Sequence, residues 1–358
     1  MIGSLSAPTL LAFGRLPGVF RALTAIAVFF GPQRLDAQRP DLTKPPKLEI
    51  GALDRPPESV FGRIERLAAD GRGNIVVLDF MAREIRWFGA DGSFRGRAGR
   101  QGSGPGEFRY PYGLAIDDQG LIHVLDPGNL RVSVFRMADS TLTLVSSART
   151  IFARRLCTLG PRRFVTWPLT DGVIHEIDAN GDLVRTFGIR EDPHEEDVRR
   201  TPQIDHLLRE SANAVEMACA KSGELEVIVL LHLHLPIVSA YLPDGTRLWR
   251  TTLADYNRVR WGVSVGEQGG VGMRWGPDPR SGTAHLGIAV AETDDARVFV
   301  TLQENRLGSP EGQSQLRELR LRDGHEVWRS RIDFVLGAAS GARVYGYTER
   351  PFPKVVVY

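Results

Sequence analysis

The feature that most constrains the fold of this 358-residue chain is a turn signal that recurs at a nearly fixed distance. A tight β-hairpin needs a residue with positive φ, which Gly and Asn adopt easily, and an Asp side chain accepts hydrogen bonds from the amides that follow it. Asp70 to Asp91 spans 21 positions, and Ser222 to Asp244 spans 22. A module of constant size is therefore repeated along the chain. The signal stands at Asp91-Gly92, Asp139-Ser140, Asn180-Gly181, Asp244-Gly245 and Asp323-Gly324.

The repeated module consists of short strands separated by turn residues. In the clearest copy, residues 113–116, 121–126 and 130–135 are rich in β-branched and other apolar side chains, and Asp, Gly, Pro and Asn separate them. Helical periodicity is almost absent outside Pro202 to Glu216. The spacing predicts five blades, at 61–109, 110–150, 151–200, 211–253 and 285–333.

The end of the chain supplies only part of a sixth blade. Residues 334–358 contain three strand candidates, and the segment Lys47 to Gly51 is a fourth. Pairing of that N-terminal strand with the last blade would close the ring and remove an open sheet edge. The sequence thus predicts an all-β fold, a six-bladed β-propeller closed by its N-terminal strand.

The N-terminal residues predict an export signal. Arg15 and Arg21 precede an apolar run over residues 22–30, and Ala37 is a small residue of the kind that signal peptidase accepts. The run is about half of what a membrane-spanning helix needs, which favours cleavage over a retained anchor. We expect a signal peptide at 1–37, a propeller domain at 38–358, and a periplasmic or secreted mature protein.

Charge argues against two classes of partner. The chain has 45 basic and 43 acidic residues, and cleavage after residue 37 removes Arg15, Arg21 and Arg34 with Asp36, which leaves 42 of each. A neutral chain has no overall field that concentrates nucleic acid or attracts an anionic membrane. We therefore expect neither nucleic acid nor an anionic membrane surface as a partner. The short apolar run at residues 22–30 also predicts no stable membrane span in the mature chain.

The two cysteines leave two readings open. Cys157 and Cys219 could pair in an oxidising compartment, or could be two separate buried thiols. They provide no zinc spacing and no Cys-x-x-Cys motif, and the chain also lacks Gly-x-Ser-x-Gly and His-Glu-x-x-His. The common thiol-redox, serine-hydrolase and zinc-protease motifs are thus absent from the sequence.

One stretch resembles a known repeat family. The run from Gly102 to Asp117, followed by Val124-Leu125-Asp126 and by Asn129 to Phe135, strongly resembles an NHL repeat. The start at Leu48 to Gly51 and the end at Pro353 to Tyr358 also look like bacterial six-bladed propeller proteins that are exported. The resemblance implies the fold more than an activity, because similar rings include binding and sensor domains, calcium-dependent lactonases and metal-dependent lyases.

Two insertions depart from the repeat and should emerge on one face of the ring. Residues 190–210 are rich in charge and predict a helix that Thr201 caps and Pro202 begins. Residues 254–284 interleave arginines and tryptophans, which suit recognition of a protein, peptide or carbohydrate ligand. The alternative is that both insertions only pack on the ring as a cap. A third insertion, 305–314, should lie on the same face. The predicted ligand-binding residues are Arg258, Arg260, Trp261, Arg274 and Trp275.

The alternative reading, that the protein is an enzyme, rests on two histidines. His232 and His234 alternate along a strand, so their rings could share a calcium or zinc ion, although a polar strand face explains them equally well. The enzymes with similar rings place metal ligands from several inner strands around the channel, and no complete set of ligands aligns here. The sequence therefore favours a non-catalytic binding or scaffold module over a metal-dependent hydrolase or lyase.

Overall fold

The computed structural model describes residues 39–52, 56–160, 163–168, 173–192, 202–265, 271–277, 282–292, 296–306 and 314–358. The predicted signal peptide and the predicted cap Thr201 lie outside these residues. Within them, no helix is both long and apolar enough to cross a membrane.

Six four-stranded antiparallel sheets form the blades of a propeller. Within each of the first five sheets, the strands pair in chain order. The first strand of each blade contacts the first strands of its two neighbours, in a closed circuit around a central channel. The predicted six-bladed fold is confirmed.

The predicted blade boundaries agree closely with the observed strands. Blades 1 to 3 contain β2 (Ile64–Ala69), β3 (Ile75–Asp79), β4 (Glu84–Phe88) and β5 (Phe94–Ala98); β6 (Gly113–Ile116), β7 (Leu121–Asp126), β8 (Arg131–Ala138) and β9 (Thr141–Arg149); and β10 (Ala153–Thr158), β11 (Arg163–Pro168), β12 (Ile174–Asp178) and β13 (Leu183–Phe187). Blades 4 to 6 contain β14 (Val215–Ser222), β15 (Leu225–His232), β16 (Ile237–Tyr241) and β17 (Arg247–Thr252); β20 (Thr283–Glu292), β21 (Arg297–Arg306), β22 (Ser314–Arg320) and β23 (Glu326–Ile332); and β24 (Val335–Ser340), β25 (Arg343–Thr348) and β26 (Lys354–Val357), with β1 (Leu48–Ile50) as the outermost strand.

The N-terminal strand closes the ring as predicted. β1 pairs with β26 in antiparallel register, with Leu48 opposite Val357 and Ile50 opposite Val355. The first and last strands of the described chain thus lie side by side in blade 6. The pairing satisfies the backbone groups of β26 that an open edge would leave available to another chain.

The hydrophobic core is divided among the interfaces between blades. Each pair of neighbouring blades has its own cluster of buried apolar side chains. Between blades 6 and 1, for example, Val77 and Phe88 pack with Tyr345 and Val355. Alternation of side chains along each strand supplies both faces of a blade, which explains why the strands contain so many β-branched residues.

The recurring Asp-Gly signal is also a contact between blades. Gly324 has a φ of +69°, and a Cβ there would lie 2.4 Å from Trp249 Cε3 in the outer strand of the preceding blade. Gly92, with a φ of +77°, would likewise bring a Cβ within 2.7 Å of Leu48 in β1. The turn needs glycine for its backbone conformation, and the preceding blade leaves no room for a side chain.

A disulfide joins two neighbouring blades. Cys157 on β10 and Cys219 on β14 are bonded, with their Cα atoms 5.4 Å apart. The structure therefore resolves the open alternative in favour of pairing. The bond links adjacent first strands, at the wall of the central channel.

The two long insertions fold into a helix and a hairpin. Helix α1 (Pro202–Ala212) precedes blade 4, and strands β18 (Val259–Val265) and β19 (Val271–Pro277) form a hairpin that precedes blade 5. Both follow the last strand of one blade and lead to the first strand of the next, so they emerge at the same end of the ring, here called the insertion face. The opposite end, with the turns between first and second strands, is the turn face. Residues 307–313 of the third insertion lie outside the described residues.

Candidate functional site

The central channel changes character between the two faces. At the turn face it widens into a cavity of about 670 Å³. Further in, small and apolar side chains such as Ala115 and Ala338 line a narrower space of about 120 Å³. At the insertion face only about 70 Å³ remains, and Arg66, Arg155 and Glu216 line it.

These three charged side chains cross the channel and narrow it. Arg66 on β2 donates to Glu216 Oε2 on β14 at 3.3 Å, and Arg155 on β10 donates to the other carboxylate oxygen. All three side chains are mostly buried. Burial is the main cause that lowers the pKa of Arg155, and repulsion from Arg66 is the second. The two arginines share one carboxylate, so this group of three side chains has a net charge of +1.

Tyr347 completes the polar lining at this end. Burial raises the pKa of its hydroxyl to about 12, although the nearby Arg66 acts in the opposite direction. The hydroxyl is therefore neutral at physiological pH and keeps a proton to donate. The end of the channel thus combines two cations, one carboxylate and a neutral donor, and its net positive charge suits an anion.

β-Bulges accompany this placement of the arginines. The register shifts between Ile64 and Arg66 in β2, and again between Ala153 and Arg155 in β10. β20 and β24 carry register shifts as well, between Gly287 and Ala289 and between Leu336 and Ala338. A bulge gives one strand an extra residue and reorients the side chains that follow it, so both arginines can point into the channel rather than between blades.

A second group of arginines surrounds aromatic rings beside the channel mouth. We call Arg63, Phe80, Arg83, Tyr112 and Arg154 the arginine rim. The guanidinium carbons of Arg63 and Arg83 lie 3.8 and 4.0 Å from the centroid of the Phe80 ring, and Tyr112 stacks on Phe80 at 5.4 Å. Arg154 lies over Tyr112 at 5.3 Å. These residues come from the connections and strand ends of blades 1 to 3 at the insertion face.

The inserted elements pack on each other and leave a small pocket. Ile204 and Leu208 of α1 bury against Val259 and Trp261 of the hairpin. A pocket of about 150 Å³ remains beside them. Its polar lining includes Glu191, Asp192, His234, Arg250 and Arg258.

The predicted ligand-binding residues lie at different depths in this cap. Arg258 and Arg260 are exposed, and Arg258 lines the pocket without an acidic partner among the described residues. Trp261 is only 8 % exposed, so for this residue the packing alternative describes the structure. Trp275 is 43 % exposed, and the side chain of Arg274 lies outside what the structure describes.

The two histidines hold the end of the inserted helix. His232 Nδ1 donates to the Ala212 carbonyl, and His234 Nδ1 donates to the Ser211 carbonyl, each at 2.9 Å. Carbonyl oxygens near a helix C-terminus have no partner within the helix, so the imidazoles cap it. Burial lowers the pKa of both rings. In the described part of the chain, no group of three His, Cys, Asp or Glu side chains is placed to hold a metal ion.

The large cavity at the turn face is lined by groups that already have structural partners. Asp70 accepts from the amides of Arg72 and Asn74, and Asp117 accepts from the following turn and from His123. Lys221 lies between Asp118 and Glu226, at 3.4 and 3.5 Å. These side chains stabilise hairpins and ion pairs, so we place the candidate site at the insertion face.

Sequence reasoning missed the arginines of the channel mouth and rim. A usable signal was present, because arginine interrupts the start of otherwise apolar first strands at Arg66 and at Arg154-Arg155. A strand that lines a narrow channel has no ordinary reason to carry charge there. The bulges that orient these residues leave no comparable sequence pattern.

Comparison with known proteins supports the fold and leaves the ligand open. Residues 52–144, which hold the first blade and most of the second, match a family model described as "6-bladed beta-propeller" (DUF5128). No curated protein matches the chain.

Solved structures with a similar course of the chain come from several bacteria. A protein of unknown function from Bacteroides caccae is 10 % identical, with a TM-score of 0.46 over 76 % of this chain and 82 % of that one. Virginiamycin B lyase from Staphylococcus aureus is 9 % identical, with a TM-score of 0.43 over 81 % and 93 %. Hydrazine synthase from Kuenenia stuttgartiensis is 10 % identical, with a TM-score of 0.47 over 86 % and 99 %. By its six four-stranded sheets and this family match, the chain is a six-bladed β-propeller whose residues 52–144 carry the sequence pattern of the DUF5128 propellers.

Proposed function

We propose that this protein is an exported, non-catalytic binding module that holds a protein, peptide or carbohydrate ligand on its insertion face. The observation that carries the proposal is the shared packing of α1 and the β18–β19 hairpin, which leaves Arg258 and Trp275 at the surface beside a pocket. A rigid ring that positions irregular loops is a common arrangement for binding sites.

The exposed side chains have the chemistry of a binding surface. Arg258 offers guanidinium donors, and Trp275 offers an aromatic face next to His234, whose ring centroid lies 5.4 Å away. Arginine and tryptophan dominate many interfaces because each combines large contact area with polar groups. The pocket also contains Glu191, held by Arg250 at 2.8 Å, so its polar lining is preorganised.

Two observations support export. The bond between Cys157 and Cys219 is typical of an oxidising compartment, and the N-terminal residues have the pattern of a signal peptide. We therefore place the mature protein in the periplasm or outside the cell.

The alternative, a metal-dependent hydrolase or lyase at the channel, lacks a specific supporting observation. His232 and His234 use Nδ1 to bond carbonyls of α1, and the described residues around them add no third ligand. A metal bound by the two Nε2 atoms alone would be held too weakly for a structural or catalytic site.

Site-specific photo-cross-linking tests the choice of face. A photoreactive phenylalanine analogue replaces Trp275 on the insertion face or, as the matched control, the exposed Gln119 on the turn face. We expect a ligand from the native compartment to cross-link at position 275 and not at position 119. Cross-linking at 119 alone would contradict the proposal.

A further inference from the structure

We propose that the ligand is an acidic peptide segment, and that it lies across blades 1 to 3 with its carboxylates on Arg83 and Arg154. This inference rests on the proposed function, which places binding on the insertion face. It adds the chemical class of the ligand and a contact surface that the insertions do not supply.

Two guanidinium groups of the arginine rim have no acidic partner in the described part of the chain. Arg83 donates to the Phe80 carbonyl and lies over the rings of Phe80 and Tyr110. Arg154 is exposed and lies over Tyr112. A guanidinium that stacks by its face still directs its N–H groups outward in its own plane, where they can bind a carboxylate in bidentate fashion.

Two glutamates of this region already form ion pairs with other arginines. Glu65 pairs with Arg63 at 2.8 Å, and Glu216 is shared by Arg66 and Arg155. The five arginines of the mouth and rim therefore exceed these two glutamates and the nearby Glu349 by two charges. Glu349, on the β25–β26 connection, acts on Tyr347 and helps to raise its pKa. A positive excess that is concentrated on one face attracts an anionic ligand even though the net charge of the whole chain is only +2.

The occupied aromatic faces favour a peptide over an acidic sugar. Sugars bind proteins largely by stacking on open aromatic faces, but Phe80 is 8 % exposed and contacts two guanidinium groups. Tyr112 stacks on Phe80 and lies under Arg154. The rings of the rim itself are thus covered, and the exposed ring beside them, Tyr110, has Arg83 over it at 5.5 Å. The rim therefore presents mainly cationic edges, which suits carboxylate side chains.

The distances also suit an extended acidic peptide. Arg83 is connected to Arg154 through Phe80 and Tyr112, by successive separations of 4.0, 5.4 and 5.3 Å. In an extended chain, side chains on the same face are about 7 Å apart, and those four residues apart are about 13 Å apart. Two carboxylates of one short segment can therefore reach both guanidinium groups.

Titration calorimetry with a capped hexaglutamate peptide tests the inference at low ionic strength. We expect binding that weakens as salt is added, and at least about tenfold weaker binding by the Arg83→Gln/Arg154→Gln protein, because two charge-assisted contacts are lost. The matched control is Arg72→Gln/Arg97→Gln, which removes the same charge from exposed residues that lie outside the rim. That control should bind like the wild type.

Three results would overturn the inference. They are absence of hexaglutamate binding, equal binding by the Arg83→Gln/Arg154→Gln protein, and tighter binding of hexagalacturonate or of uncharged hexaglutamine. Thermal unfolding of each variant shows whether it is folded, and the single variant Arg154→Gln, at an exposed residue, should leave the midpoint unchanged. If position 275 still cross-links a ligand while hexaglutamate fails, the ligand class is wrong and the face is right. If only position 119 cross-links, the proposed function fails as well.

Discussion

At the scale of single residues, turn glycines that look alike in the sequence differ in how much stability their replacement should cost. Gly324, Gly120 and Gly71 all stand in turns, but they differ in backbone conformation and in surroundings. Gly324 has positive φ and touches the preceding blade, Gly120 has positive φ in open space, and Gly71 has neither constraint. The three positions therefore separate the cost of conformation from the cost of packing.

Alanine at these glycines should destabilise the protein in that order. We expect Gly324→Ala to lower the free energy of unfolding by about 2 kcal/mol or more, because left-handed strain and overpacking add. Gly120→Ala should cost about 1 kcal/mol for the backbone alone, and Gly71→Ala less than about 0.5 kcal/mol. Chemical denaturation measures all three. Equal losses at Gly324 and Gly120 would show that the contact with Trp249 has no energetic role.

The buried His232 should make the cap sensitive to acid. Burial lowers the pKa of this ring below its ordinary value of 6.5, so the unfolded chain takes up the proton first as the pH falls. The unfolded state then binds more protons, and stability present at neutral pH is lost below about pH 6.5, by up to about 1.4 kcal/mol per pH unit.

Thermal unfolding between pH 7.5 and 5.5 measures this dependence. His232→Asn keeps a donor for the Ala212 carbonyl but cannot titrate, so its midpoint should fall less steeply with acid than that of the wild type. His234 and His285 also have lowered pKa values and should retain part of the slope. An unchanged slope in the variant would rule out His232 as a source of acid sensitivity.

At the scale of elements, the disulfide between β10 and β14 should be a major source of stability. It closes a loop with a sequence separation of 62 residues, for which loss of chain entropy in the unfolded state corresponds to about 4 kcal/mol. The protein with Cys157→Ala and Cys219→Ala should unfold at a lower denaturant concentration than the wild type. A reductant should lower the denaturation midpoint of the wild type but not that of the variant. If the reductant leaves the denaturation midpoint of the wild type unchanged, that result contradicts the bond.

The sequence predicts these elements unevenly, for physical reasons. Strands and turns were predictable because each blade repeats short-range patterns, including the closing strand β1, which the missing fourth strand of blade 6 required. The β18–β19 hairpin was not predicted, since residues 254–284 match no blade pattern. The arginine rim depends on side chains from three blades that meet only in the folded ring.

At the scale of the whole molecule, the two ends of the channel differ in charge and in the contacts that their charged side chains make. The turn face has the larger cavity, but its acids hold hairpins or pair with Lys221. The insertion face has the narrow mouth, the arginine rim and the folded insertions. A chain with a net charge of only +2 can therefore still bind an anionic ligand selectively, because its basic excess is local.

Hydrogen exchange of the protein with and without hexaglutamate tests this difference between faces most directly. We expect added protection in the segments of the rim, at residues 80–83, 109–112 and 150–155, and none in the turns at 70–74, 117–121 and 221–226. Protection of those turns, with the rim segments unchanged, would place the binding site in the large cavity of the turn face and contradict our account.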